Sequence, residues 1–212
     1  VARTDDYDQA FQLASQQLRQ ANLHRLAKLA GASSIEATSD GMELSLPFLG
    51  RPHLVRVNER VEILREETGE EATILERILV AHYLLGGDGE PPSGRLITFR
   101  EIPDGHFYDD AFQRRARQPF LSVFGREPER FRTCAARMGG QPAALGDAAM
   151  RFQVFPRFSL HLVLWEGDDE FPPEATILFD DNIHHYLAAE DIAVLSGMVV
   201  YPLLGMARGK TA

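Results

Sequence analysis

The densest run of reactive side chains is Trp165-Glu166-Gly167-Asp168-Asp169-Glu170-Phe171-Pro172-Pro173, with four carboxylates in five residues. Crowded carboxylates repel. If burial adds desolvation, one of them keeps a proton near neutral pH, as a general acid must. Oxygen ligands also suit a hard cation. The spacing is not that of the twelve-residue calcium loop, because the Asp-x-Asp-x-Asp-Gly ladder and the closing Glu are missing. Four readings stay open: a capped structural turn, a binding surface, a catalytic pair and a cation loop. No metal ligand set is assigned.

A second run is Phe179-Asp180-Asp181-Asn182-Ile183-His184-His185-Tyr186. On a helix, Asp180 would pair with His184 and Asp181 with His185 at four-residue spacing. Such an Asp orients a His base or shares a metal with it. Adjacent histidines diverge by about 100° on a helix, so they do not serve one ion together. Arg100-Glu101 follows a short apolar run and joins the candidates. His106 follows the expected Pro103-Asp104-Gly105 turn, where a histidine can bind a ligand but most do not. His161 alternates with apolar neighbours and is expected to be a hydrogen-bonded sheet residue. His82 is expected in or near a core. Cys134 has no evident His partner and is expected to be packed rather than reactive. There is no dinucleotide fingerprint, no phosphate loop and no nucleophile elbow. No cofactor can be named.

Charge is uneven. The chain of 212 residues has 22 Lys and Arg against 31 Asp and Glu, a net charge of −9. That argues against a general grip on nucleic acid or anionic lipid. Nine acids and no Lys or Arg lie from Glu166 to Asp191, whereas seven Arg lie from Arg114 to Arg137. The two blocks either balance each other inside the protein or meet a partner. One cysteine makes neither an intrachain disulfide nor a cysteine-only metal site. The polar start, residues 1–8, has no signal-peptide pattern. The run 192–207 is apolar but short for a bilayer and holds Gly197, Pro202 and Gly205, so a buried helix is expected. A cytoplasmic protein follows.

These side chains need elements to hold them. Apolar spacing predicts one helix over 6–30, stopped at Gly31. Strands follow at 42–46, 54–57 and 61–64, as an antiparallel meander with Pro47 as punctuation. A helix covers 71–85, capped by Thr68 with Glu71. Residues 86–94 are too rich in Gly and Pro to be regular. The chain is therefore read as 1–87 and 95–212, or as one continuous domain. In the second part, 96–99 is a strand and 109–125 a helix that Pro119 should kink or split. Pro128 begins a short helix that ends at Gly139-Gly140. Strands follow at 150–154, 158–164 and 177–179. The 158–164 strand carries apolar residues on both faces. A terminal helix has Glu190 and Asp191 in its first turn. Uneven interleaving gives an α+β fold, a mixed or mainly antiparallel sheet packed with several helices.

The order of pieces resembles a bacterial and archaeal family known as domain of unknown function 3786. The stretches that carry the likeness are Leu96-Ile97-Thr98-Phe99-Arg100-Glu101-Ile102-Pro103-Asp104-Gly105 and Pro156-Arg157-Phe158 through Trp165-Glu166-Gly167-Asp168-Asp169-Glu170-Phe171-Pro172. Ile177-Leu178-Phe179-Asp180 and Tyr186-Leu187-Ala188-Ala189-Glu190-Asp191-Ile192-Ala193 complete it. The resemblance spans nearly the whole chain and implies no activity or catalytic residue. Some relatives look fused to a cysteine-rich, iron–sulfur-like segment. With one cysteine, any redox role implied by that likeness needs a partner protein.

The leading reading is an accessory or ligand-binding protein. Its surface combines Arg100, Glu101, Trp165, Asp168, Asp169, Glu170, Asp180 and His184, converging from strand ends into one recess. The occupant would be a protein partner or a small molecule, without nucleic acid or membrane, and a homo-oligomer is compatible. The alternatives are a small enzyme using Asp168 or Glu170 with His184 for proton transfer or hydrolysis, and a structural subunit with the C-terminal helix at an interface.

Overall fold

The computed structural model describes residues 4–209, so Val1 to Arg3 of the polar start and the last three residues lie outside it. The fold is α+β, with antiparallel sheets packed against helices. The chain forms two compact units that are not consecutive stretches. The first runs up to Pro92 and takes in Val154–Arg157 and His185–Leu187; the second holds Ser93–Gln153, Phe158–His184 and the chain from Ala188.

In the first unit, α1 (Thr4–Gln20) and α2 (Leu23–Ala30) replace the single expected helix. Asn22 makes the break. Its backbone is extended, and its side chain accepts from the Arg25 N–H at 3.1 Å, which caps α2. In the apolar pattern Asn22 passes for a polar-face position, so the interruption is silent there. Gly31 does stop α2, at φ 73.

Strands β1 (Ser34–Ala37), β2 (Met42–Phe48), β3 (Arg51–Val57) and β4 (Val61–Arg65) form an antiparallel meander in that order. β1 goes beyond the expected three strands. β2 also runs through Pro47, which lies opposite Pro52. Two facing prolines need a pair position that exchanges no N–H bond. Leu44, Leu46, Phe48, Val55 and Ile63 are buried, and α3 (Ile74–Gly86) packs against α1 and α2. Phe155 and Tyr186, from the two late segments, stack on Tyr83 at centroid distances of 3.9 and 5.2 Å. The Tyr83 hydroxyl donates to the Ala30 carbonyl at 2.6 Å, and burial pushes this phenol far above its usual range.

The cap of α3 differs from expectation. Thr73, not Thr68, accepts from the Glu76 N–H, and Glu76 returns the bond to the Thr73 N–H. Thr68 only braces an exposed turn through the Glu70 N–H. Accordingly, Thr73→Ala is expected to cost about 1 kcal/mol in urea unfolding, and Thr68→Ala less than about 0.5 kcal/mol. Equal losses would return the cap to Thr68.

The second unit has a five-stranded sheet in the order β5-β9-β8-β7-β6. The strands are β5 (Leu96–Thr98), β6 (Gln141–Pro142), β7 (Ala148–Phe155), β8 (Phe158–Trp165) and β9 (Glu174–Asp180), with the last two residues of β7 belonging to the first unit. Every β8 residue but Trp165 is buried, which accounts for the apolar residues on both of its faces.

Helix α4 (Gly105–Phe112) continues through a wide turn (Gln113–Arg117) into α5 (Gln118–Phe124). The expected 109–125 helix is thus split just before Pro119, by a widened turn rather than by a loop. The Gln118 N–H reaches back five residues to the Gln113 carbonyl, and the widened turn absorbs the amide that Pro119 lacks. Helix α6 (Pro128–Arg137) begins on Pro128, as expected, and buries Phe131 and Cys134. Helix α7 (Ala189–Ala207) packs against α4, α5 and α6. Among the described residues it is the one helix long and apolar enough to cross a membrane, and 56% of that window is buried inside the protein.

Candidate functional site

All eight candidate residues belong to the second unit. The structure places the acidic turn and Asp180 at opposite ends of β9. Trp165 pairs with Glu174 at its start, so the acidic turn lies there. Asp180 pairs with Leu96 at its finish. Six residues of extended chain separate the two, roughly 20 Å. The expected single recess is therefore two separate places, and Asp168 or Glu170 cannot exchange a proton with His184, which follows Asp180.

The acidic turn is built by Asp168. Its Oδ1 accepts from the Glu170 and Phe171 N–H groups at 2.8 and 2.7 Å, and its own N–H donates to the Phe171 carbonyl. The Phe171 and Glu170 amides hold its carboxyl below the usual carboxylate range. Asp168 is thus an ionised turn-former, not the protonated acid that crowding alone would give. Gly167 is required, since a Cβ there would lie 2.6 Å from the Pro173 nitrogen. Glu166, anchored through its N–H to Asp147 at 2.7 Å, is exposed with Asp169 and Glu170. Phe171 is 67% exposed and Trp165 40%.

Beside the turn lies an open recess of about 500 Å³, walled on its other side by Gly125, Arg126 and Pro128 between α5 and α6. The Arg-rich and acidic blocks do meet. Arg126 faces the turn, and Arg117 donates to the Ala175 carbonyl at 2.6 Å and to Glu174 at 3.3 Å. Neither arginine stood out in the sequence, where only the block as a whole was visible.

At the other end, the expected helical pairs do not form, because Asp180 is still strand. Its Oδ2 accepts from the Ser159 N–H at 2.7 Å, and its Oδ1 lies 3.9 Å from His161 Nε2. His161 is buried with no partner on Nδ1, contrary to the hydrogen-bonded sheet role expected for it. Ser159 is itself engaged by Arg151 and Gln153. Ser159 and His161 are two apart on a strand, so they share a face. That spacing is the signal the sequence carries for this cluster.

Asp181 accepts from both the N–H and the hydroxyl of Ser93, and these bonds hold its carboxyl below the usual range. His185 instead meets Asp88 at 2.6 Å, within the first unit. His184 is exposed, in the short helical turn Asp181–His185.

Arg100 pairs with Asp109 at 2.9 Å. Glu101 is a cap. It accepts from the Thr98 N–H and hydroxyl and from Arg95, and the Thr98 bonds lower its pKa first of all. Both side chains are thus engaged locally, Arg100 by Asp109 of α4 and Glu101 by the chain just before it. Among the described residues no group of three or more His, Cys, Asp or Glu could hold a metal ion.

Fold and surface together define an α+β protein with two antiparallel sheets, the second of which extends a rigid acidic turn edged by aromatic rings. The chain belongs to the DUF3786 family, a domain of unknown function, whose model matches residues 23–201. No curated protein and no solved structure matches it.

Proposed function

We propose that this is a cytoplasmic accessory protein that captures a basic segment of a partner protein on the acidic turn 166–173 and its recess. One observation carries the reading. Asp168 spends its carboxylate on the turn's own amides, so Glu166, Asp169, Glu170 and Phe171 are held at the surface in a fixed arrangement. Preorganised charge beside an exposed ring lowers the ordering cost of binding and favours a cationic, partly apolar occupant. The recess is open, which suits a chain segment better than an enclosed small molecule.

The chain has one tryptophan, and it borders the turn. Titration with a short Lys- and Arg-rich peptide containing one aromatic residue should therefore give a saturable change in Trp165 fluorescence. Asp168→Ala and Glu170→Ala should keep the fold by circular dichroism and weaken capture by roughly fivefold or more. Unchanged capture in both variants would remove the turn from the account.

A further inference from the structure

The first unit contains a buried ionisable cluster that plays no part in the acidic turn. His53, on β3, is 1% exposed. Its Nδ1 lies 3.1 Å from the Arg51 carbonyl, which can only accept, so Nδ1 carries the hydrogen and Nε2 a bare lone pair. That Nε2 is buried with no hydrogen-bond partner, and the Phe48 ring lies near the imidazole at a centroid distance of 5.6 Å.

Directly across the ladder is Arg65 of β4, whose Nε is also buried without a partner. Its Nη2 donates to Glu76 Oε2 at 2.7 Å. The same oxygen accepts from the Thr73 N–H and the Thr73 hydroxyl, at 2.7 and 2.8 Å, and so closes the capping box of α3. One carboxylate oxygen thus ties β4 to the start of α3, beside a histidine whose Nε2 has no partner.

The charged groups around His53 are few. Arg51 lies on its own strand, Arg65 on β4 and Glu76 on α3. The facing residue on β2 is Leu46. A proton on Nε2 would be a second cation next to Arg65, and Glu76 would be its one anionic neighbour. Burial holds the imidazole below its ordinary value, with Glu76 opposing that shift and Arg65 reinforcing it.

We propose that His53, Arg65 and Glu76 form an acid-responsive junction, in which a proton taken up at His53 draws Glu76 from the α3 cap and loosens α3 from the β1–β4 sheet. The folded junction favours neutral His53, so an opened α3 start binds the proton more readily. Opening then increases as pH falls below the free imidazole value of about 6.5 and levels off below the folded one.

Amide hydrogen exchange tests this in the intact chain. After correction for intrinsic rates, opening at the first turns of α3 should rise roughly tenfold or more between pH 7 and 5. Amides of β8 should not follow it, and His53→Gln should flatten the response. A flat wild-type profile, or the same slope in His53→Gln, overturns the proposal. If His53→Gln does not fold, nitrogen NMR of wild-type imidazoles decides. The His53 Nε2 signal must be unprotonated at pH 7 and titrate below 6.5 together with α3 exchange. Titration uncoupled from that exchange also overturns the proposal.

Discussion

Gly105→Ala is expected to lower stability by about 3 kcal/mol, although alanine is the better helix former. Gly105 opens α4 immediately after Asp104, which is held at φ 62. A Cβ at position 105 would fall inside the van der Waals envelope of the Phe99 carbonyl oxygen. Phe99 cannot give way easily. It is buried, lies flat on Phe112 at 4.2 Å and borders Phe179 of β9. Relief therefore requires the short turn before α4 to shift against the sheet. Gly205→Ala is the control. It lies in α7 with no atom within 4 Å of the added carbon, and should stabilise by about 0.5–1 kcal/mol. Urea unfolding of both variants checks the pair, and a Gly105→Ala protein as stable as wild type refutes the packing argument.

Asp180→Ala should cost a similar amount, about 3 kcal/mol. Ser159 is fully buried, and its N–H has Asp180 Oδ2 as acceptor. Alanine leaves that donor orphaned and removes the carboxylate nearest His161. Asp180→Asn keeps an oxygen in place and should lose only about 1 kcal/mol. The Ser159 amide should exchange faster in the alanine variant alone. Equal losses in the two variants would show that the charge matters and the acceptor does not.

These two residues also show where sequence reasoning stops. Alternation and apolar runs located β2, β3, β4, β8 and β9, because burial on one or both faces leaves a periodic trace. Asn22 and Thr73 left no periodic trace, since a cap lies outside the apolar repeat, although Thr73 and Glu76 do stand at the capping-box spacing. The acidic turn was legible as composition. Asp180 does not converge with that turn. The turn enters β9 and the Asp180 segment leaves it, and the entrance and exit of a strand lie at its opposite ends. His161 and Ser159 were hidden differently. A polar residue inside an apolar strand signals burial, but its partner comes from a neighbouring strand whose register the sequence does not state.

The late segments of the first unit bear on how the polypeptide matures during synthesis. Phe155, Arg157 and Tyr186 contribute to the core and helix ends of a unit most of whose residues lie before Pro92. As the chain emerges from the ribosome, α1 to α3 and the meander must wait for Phe155, made about 60 residues after Pro92, and for Tyr186, nearly a hundred after it, before both rings stack on Tyr83. At about 5–20 residues per second that is a delay of several seconds or more. During it Tyr83 and Phe48 lack the Phe155 ring that stacks on both in the finished unit.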